Sequence, residues 1–275
     1  RVSVQDLSIS IVVFELNESL LRKCLDSLLV AIGNAKEENL LRNTALTIID
    51  NGNNKESIRL TLDEMKMTPF IEPRLVAGQG NVGYGVAHNL AIMTSDKTFH
   101  LILNPDVILA RTSLTEILRF TLNHPEVCMI APHGETPSQN NAHLCKRYPS
   151  VLAFFVRGFA PRFARNLFAN HLRHYEYHDL DHSAPTLGIE LISGCCMFAR
   201  TSALKAVGGF DPRYFLYFED FDLSKKISQI GKIAYLPDAK IIHYGGESAS
   251  KGLQHILYFC RSAFRFYRTH GLKIT

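Results

Sequence analysis

Apolar and polar positions follow two alternating periods. Short apolar-rich runs at Leu7–Phe14, Ala45–Ile49, Arg74–Ala77, Phe99–Leu103 and Val127–Ala131 read as strands. Between them the period turns helical. Leu21, Leu25, Leu28 and Ile32 form one stripe behind Asn17, a residue suited to an N-cap. A glycine-rich turn leads into a helix ending near Thr94, and Leu114, Ile117, Leu118 and Leu122 define the inner face of a helix over Thr112–Asn123. Strand and helix in alternation predict a mainly parallel central sheet flanked by helices.

The second half continues less regularly. His133–Ser150 is polar and rich in Asn, Ser and Pro, so it reads as a loop or loose hairpin. Val151–Tyr177 mixes aromatics with arginines and reads as helix, and Ile189–Ala199 as a strand. Gly208–Asp211 is a turn. Glu219–Ile230 is a helix with Leu223, Ile227 and Ile230 on one face and Gly231 past its end. Late strands are expected at Ile233–Leu236 and Lys240–Tyr244, and a basic, aromatic helix over about Gln254–His270. No internal repeat is visible.

With 275 residues, 46% of them hydrophobic, the chain can bury one large domain or two intimate halves. Its net charge of +4 and the lack of a Lys/Arg-rich run argue against nucleic acid as a partner. No apolar stretch is long enough to span a bilayer, and no secretory signal is visible. Six cysteines without a CxxC pair read as reduced, buried thiols of a cytoplasmic protein. Cys195 and Cys196, adjacent in an apolar run, read as packing residues.

The chemistry sits at strand ends, where a sheet fixes the backbone and leaves the side chain to a crevice. Leu101–Leu103 runs into Asn104-Pro105-Asp106; Ile241-Ile242 runs into His243; Glu219, Asp220 and Asp222 crowd a helix start. Asp106 and His243 are a candidate metal pair. Clustered carboxylates raise one another's pKa, which suits Asp220 as a general base, although the helix dipole alone accounts for acids there. Gly78-Gln79-Gly80-Asn81-Val82-Gly83 matches a dinucleotide fingerprint but follows the third strand, so an ordinary glycine turn or a mononucleotide contact is the better reading. Asp50 divides evenly between a ligand contact and a turn-forming residue. His171, His174, His178 and His182 recur at helical spacing, and a solvated basic face outweighs a metal face there. Two basic-aromatic segments stand out. Phe154, Phe155, Phe159, Phe163, Leu167 and Phe168 run among arginines, as a membrane-facing helix or an acceptor wall. Ile256, Leu257, Phe259, Phe264, Phe266 and Tyr267 with Arg261, Arg265 and Arg268 favour a membrane interface over snorkelling arginines.

The ordered set resembles an inverting family 2 glycosyltransferase of the GT-A fold, and within it the bacterial rhamnosyltransferases of surface polysaccharide assembly. Five stretches carry the resemblance: Ile48–Gly52, Gly80–Gly85 with Asn89, Leu103–Asp106, Ser193–Met197, and Gly208–Asp211 through Tyr217–Leu223, with His243 completing it. It implies a GT-A (Rossmann-like) domain over 1–245, with a nucleotide-binding half over about 1–110, an acceptor-binding half over about 111–245, and a helical extension over 246–275. It also implies that Asp50 contacts the donor's base, that Asn51 belongs to the same donor-binding set, that Asn81 and Gly83 line the nucleotide pocket, and that Asn104 and Asp106 stand at the DxD positions. Asp106 and His243 would then hold Mg2+ or Mn2+, and Asp220 would be the base, supported by Glu219. Asn104 departs from the first acid of DxD, and Glu15-Leu16-Asn17 departs from the usual Thr-Tyr-Asn. The implied activity is transfer of a sugar, rhamnose from dTDP-rhamnose, onto a saccharide acceptor, lipid-linked, at the inner face of the cell membrane. The competing readings are an NAD-dependent oxidoreductase built on Gly78–Gly83 and a non-catalytic sugar-nucleotide-binding module.

Overall fold

The computed structural model describes residues 4–66, 71–151, 169–245 and 253–273. Strand β1 (Gln5–Val13) leads through α1 (Glu18–Glu37), β2 (Leu41–Asp50), α2 (Lys55–Met65), β3 (Ile71–Val76) and α3 (Tyr84–Ile92) to β4 (Phe99–Leu103). Next come β5 (Val107–Leu109), α4 (Ser113–Asn123), β6 (Val127–Glu135) and β7 (Cys145–Lys146). The chain resumes with α5 (Ala169–Tyr175), β8 (Thr186–Leu187), β9 (Leu191–Ile192), β10 (Cys196–Arg200) and α6 (Thr201–Ala206). It closes with α7 (Glu219–Ile227), β11 (Lys232–His243) and α8 (Leu253–His270).

Among the described residues nine strands form one sheet in the order β3-β2-β1-β4-β10-β6-β11-β5, with β8 added to β11, while β7 and β9 pair apart from it. The long pairings β2–β3, β1–β2, β1–β4 and β6–β11 are parallel, and β10 lies antiparallel between β4 and β6. This is the expected α/β architecture. Period-2 alternation sorts the side chains. Phe99, Leu101 and Leu103 join the core under α1 and α4, while Ile102 joins the core under α7. The α1 stripe is fully interior: Leu21, Leu25, Leu28 and Ile32 are buried, each contributing roughly 1.5–3 kcal/mol. Asn17 caps α1, its side chain accepting from the Leu20 N–H at 3.1 Å.

A buried polar chain fastens α3 to the sheet. Ser10 Oγ bonds His88 Nδ1 at 2.7 Å and His100 Nε2 at 2.8 Å, and Ser8 Oγ bonds His100 Nδ1 at 2.6 Å. Burial holds both imidazoles below the usual histidine range, so both stay neutral at physiological pH.

The structure departs from the sequence reading where packing overrides pattern. Lys55–Met65 is a helix without a strong stripe, since only Ile58 and Thr61 on it are buried. Three-residue β5 and six-residue α6 are too short to show a period. The expected strand Ile189–Ala199 is two strands: β9 pairs with β7 and β10 with β4, broken by Ser193-Gly194-Cys195. The two expected late strands are one, because β11 absorbs Pro237-Asp238-Ala239 in a register slip against β6. α7 stops at Ile227, leaving Ile230 50% exposed, and the Gly231 N–H bonds the Ile227 carbonyl at 3.1 Å. Of the expected helix Val151–Tyr177, Ala169–Tyr175 is helical, and the aromatic stretch Phe154–Phe168 lies outside the described residues. Cys195 and Cys196 are buried, as read, but Cys260 is exposed. No helix among the described residues is long and apolar enough to cross a membrane.

Candidate active site

The sheet itself joins Asp106 to His243. β4 ends at Leu103, the turn Asn104-Pro105-Asp106 follows, and β5 then runs antiparallel to β11 with His243 opposite Val107. The Tyr244 N–H bonds the Asp106 carbonyl at 3.0 Å, extending that ladder by one link. His243 Nε2 consequently stands 3.5 Å from Asp106 Oδ1. That oxygen is buried and has no hydrogen-bond partner. An orphaned carboxylate oxygen beside an imidazole nitrogen is donor chemistry for a divalent cation, so these two residues fit one.

Tyr84, the first residue of α3, ties this edge to the acidic helix. Its hydroxyl lies 2.9 Å from Asn104 Oδ1 and 2.6 Å from the Gly194 carbonyl, both acceptors. The Gly194 N–H in turn donates to Asp220 Oδ2 at 2.9 Å, and the Phe221 N–H donates to Asp220 Oδ1 at 2.9 Å. Burial above all pushes the Tyr84 phenol far up, with Cys195, Glu219, Asp220 and Asp106 adding their charge. Tyr84 therefore remains a neutral donor in the midst of the acids. Residues 106, 220 and 243, distant along the chain, are thus linked: His243 to Asp106 directly, and Asp220 to Tyr84 through Gly194.

The acidic pair is set by backbone strain. Tyr217 and Phe218, directly before α7, have φ of 71° and 64°, left-handed values that side-chain-bearing residues rarely adopt. Glu219 is 6% exposed and its Oε2 has no partner. Burial raises its carboxyl, and the charge of Asp220 raises it further. Burial also raises Asp220, against the lowering effect of its backbone donors. At neutral pH this favours a protonated Glu219 beside an ionised Asp220. Asp222 has a separate role: it is 1% exposed and holds His270 Nε2 of α8 at 2.7 Å.

Two loops are laced together on the other flank. The Asp50 carboxylate accepts from the Gly52 and Asn54 N–H groups at 2.9 and 2.7 Å and from Asn54 Nδ2 at 3.0 Å, so in this structure it shapes its own turn. Asn51 Nδ2 donates to the Gly83 carbonyl at 3.1 Å, and Asn81 Oδ1 accepts from the Gly83 N–H at 3.2 Å. Gly83 has φ of +89°, and a Cβ there would stand 2.7 Å from the Phe215 carbonyl. Phe215, not a pyrophosphate, occupies the close approach that this glycine allows. The turn also follows β3, at the edge of the sheet, whereas a dinucleotide fingerprint belongs to a central first strand. The oxidoreductase reading loses its footing on both counts.

These parts surround two adjoining cavities that share Val12 and Tyr84. One, about 610 Å³, includes Glu15, Asn17, Asn104 and Asp106 in its lining; the other, about 280 Å³, includes Asn51, Asn81, Gly83 and Phe215. Asp220 stands beside the larger one, joined to Tyr84 through Gly194. Cys195, in the same turn, is pushed up to about 12 by burial and stays a thiol.

The histidines expected on one face go to separate places. His171 meets Ser150, His182 meets Tyr235, and the His178 ring stacks on His143 beside Glu176. Tyr84 and Gly194 carry contacts that sequence reading gave no role. Their signal was only their position within the quoted motifs. The Asp222–His270 pair had no local signal at all, since 48 residues separate its members.

No family model matches the chain. Over 207 residues it is 28% identical to the N-acetylglucosaminyl-diphospho-decaprenol L-rhamnosyltransferase of Mycobacterium tuberculosis, a match covering 70% of this chain and 66% of that protein. It is 24% identical over 200 residues to rhamnosyltransferase WbbL of Escherichia coli K12, covering 68% of this chain and 70% of that one. Its fold matches the crystal structure of GalNAc-T7 with UDP, GalNAc and Mn2+ at a TM-score of 0.67 and 14% identity, over 96% of this chain and 48% of that chain. The fold is therefore GT-A, and this chain spans about two thirds of its mycobacterial relative and about half of that solved chain.

Proposed function

We propose that the chain, which belongs to the family 2 glycosyltransferases and has rhamnosyltransferases as its sequence relatives, moves a sugar with inversion from a nucleoside diphosphate donor to an acceptor hydroxyl. The donor is dTDP-rhamnose and the acceptor a saccharide carried on a polyprenyl diphosphate. The mycobacterial relative's name supplies the acceptor class, and both relatives' names supply the sugar. The observation that carries the reading is that Tyr84, Asn104 and Asp106 line one cavity while His243 stands 3.5 Å from Asp106 and Asp220 is tied to Tyr84 through Gly194.

The nucleoside lies against the laced loops of Asp50, Asn51, Asn81 and Gly83, and its diphosphate beside Asn104 and Asp106. Asp106 and His243 hold Mg2+ or Mn2+. When bound, the ion supplies positive charge for the departing diphosphate. Asp220, ionised, takes the acceptor hydroxyl proton as that oxygen bonds to the anomeric carbon and the carbon–diphosphate bond breaks. A protonated Glu219 keeps a second negative charge away from that base. Tyr84 orients Asn104 and the Gly194 turn, fixing base and diphosphate sites relative to each other. A single displacement needs no enzyme nucleophile, in keeping with the buried, protonated Cys195.

The test is incubation with dTDP-rhamnose, a panel of other nucleotide sugars, and a polyprenyl-diphosphate-linked N-acetylglucosamine. The reading expects release of dTDP and a product of inverted anomeric configuration. Turnover with retained configuration, or none with any nucleotide sugar in the presence of Mg2+ or Mn2+, overturns it.

A further inference from the structure

The C-terminal helix has two faces with different chemistry. Phe259, Ser262, Phe266 and His270 recur at helical spacing along its inner face. Phe266 is fully buried in an aromatic cluster with Tyr214 and Phe218, and His270 bonds Asp222. Leu257, Arg261, Phe264 and Arg268 recur along the opposite side at i, i+4, i+7 and i+11. Leu257 is 68% and Phe264 70% exposed, and both arginines are exposed. The helix contains no acidic residue.

Beside this outer stripe lies a cavity of about 540 Å³ lined by Arg213, Arg261, Phe264, Arg265, Arg268 and Thr269. Four guanidinium groups gather there without a carboxylate in the lining. The nearby Asp211 has both oxygens engaged by Arg213, whose Nε donates to Oδ1 and whose terminal nitrogen donates to Oδ2. Arg265 Nε is a buried donor with no acceptor. Gathered guanidinium charges repel one another, and an unpaired buried donor keeps the cost of its lost hydration. A multidentate anion relieves both, and guanidinium forks match phosphate oxygens.

We propose that this face seats the phosphate of an anionic membrane lipid, with Phe264 and Leu257 entering the boundary between headgroups and acyl chains. The apolar residues of the stripe separate this from a site for free phosphate: a soluble anion has no use for two exposed apolar side chains flanking its pocket, whereas a lipid covers both. The seat lies on α8, and the proposal does not depend on which sugar is moved or whether transfer occurs.

Cosedimentation with phosphatidylcholine vesicles, with and without phosphatidylglycerol, tests it at about 0.15 M salt, where only short-range attraction survives. The unaltered chain is expected to bind only the vesicles that contain phosphatidylglycerol. R261Q/R268Q should weaken that binding roughly 30-fold, and R261K/R268K should retain most of it. F264S should weaken vesicle binding roughly tenfold while leaving inorganic pyrophosphate binding unchanged. Because these residues are exposed, each variant should keep the parent's melting midpoint and nucleotide binding. Failure to bind either vesicle, unchanged binding by R261Q/R268Q, or pyrophosphate binding without vesicle binding each overturns the proposal.

Discussion

The two sides of the cavity are built by opposite means. Asp106 and His243 are brought together by a regular antiparallel ladder, with His243 opposite Val107. Glu219 and Asp220 are presented by two consecutive left-handed residues and fixed by one donor from a distant turn, the Gly194 N–H. A ladder, even one of three residue pairs, places its side chains through backbone bonds and tolerates side-chain change. A strained turn concentrates stability in few contacts and holds its carboxylates out of water, which raises both. On the proposed reading, cation-holding and proton-accepting chemistry ask different things of the fold, and each would come from a different kind of backbone.

Substitutions should separate the sides. On the proposed reading Asp220→Asn removes the proton acceptor and should lower transfer by about 10³-fold or more, within the range for general-base loss compounded by positioning. Titration with dTDP-rhamnose should give nearly unchanged donor affinity. Equal activity in this variant would remove the base from the acidic side. On the ladder side, Asp106→Asn and His243→Ala should each cost about 10²-fold in transfer. Mn2+ is expected to raise the melting temperature of the parent chain, and both substitutions should abolish that rise. A Mn2+ response preserved in both variants would unseat the cation.

pH sharpens the contrast. Asp220, raised to about 6 by burial, must be ionised to act, so kcat should fall as pH drops through about 6. Glu219 is raised from its ordinary 4.5 to about 8, so between those values the folded chain keeps a proton that the unfolded chain releases. Stability should thus decline as pH rises across that window. Glu219→Gln should flatten that decline and raise the melting temperature at pH 8, a gain that a merely structural hydrogen bond would not give. Gly83→Ala sets a backbone clash against Phe215 and should cost about 1–3 kcal/mol. Gly78→Ala, equally left-handed but in open space, should cost less, and paired urea melts compare the two. Tyr84→Phe should have the smallest effect, about 1 kcal/mol, read as a modest loss of kcat with the fold intact.

The strand ends carrying Asp106 and His243 were legible because apolar runs stop abruptly at them. Their 3.5 Å approach was not, because it depends on β5, a strand of three residues with no pattern of its own. The helix start at Glu219–Asp222 was legible as an acidic cluster. Which acid braces and which faces Gly194 was not, because both partners, Gly194 and His270, come from remote segments. The oxidoreductase reading arose from a glycine spacing that cannot report which strand precedes it in space. The basic-aromatic helix was legible as a helix, but Phe259, Phe266 and Tyr267, read with its interfacial residues, pack inward against Tyr214 and Phe218, because that aromatic cluster is assembled from remote segments.

Sequence alone determined the alternation of strand and helix, the apolar stripes that must be buried, and the residue types available for chemistry, because periodicity and burial act over a few neighbouring residues. Tertiary structure alone decided that Tyr84 bridges Asn104 to Gly194, that Asp222 grips His270, and that Glu219 is buried beside Asp220. Those outcomes turn on contacts between segments far apart in the chain, where distance and desolvation, which no local pattern encodes, set the protonation and pairing of each group.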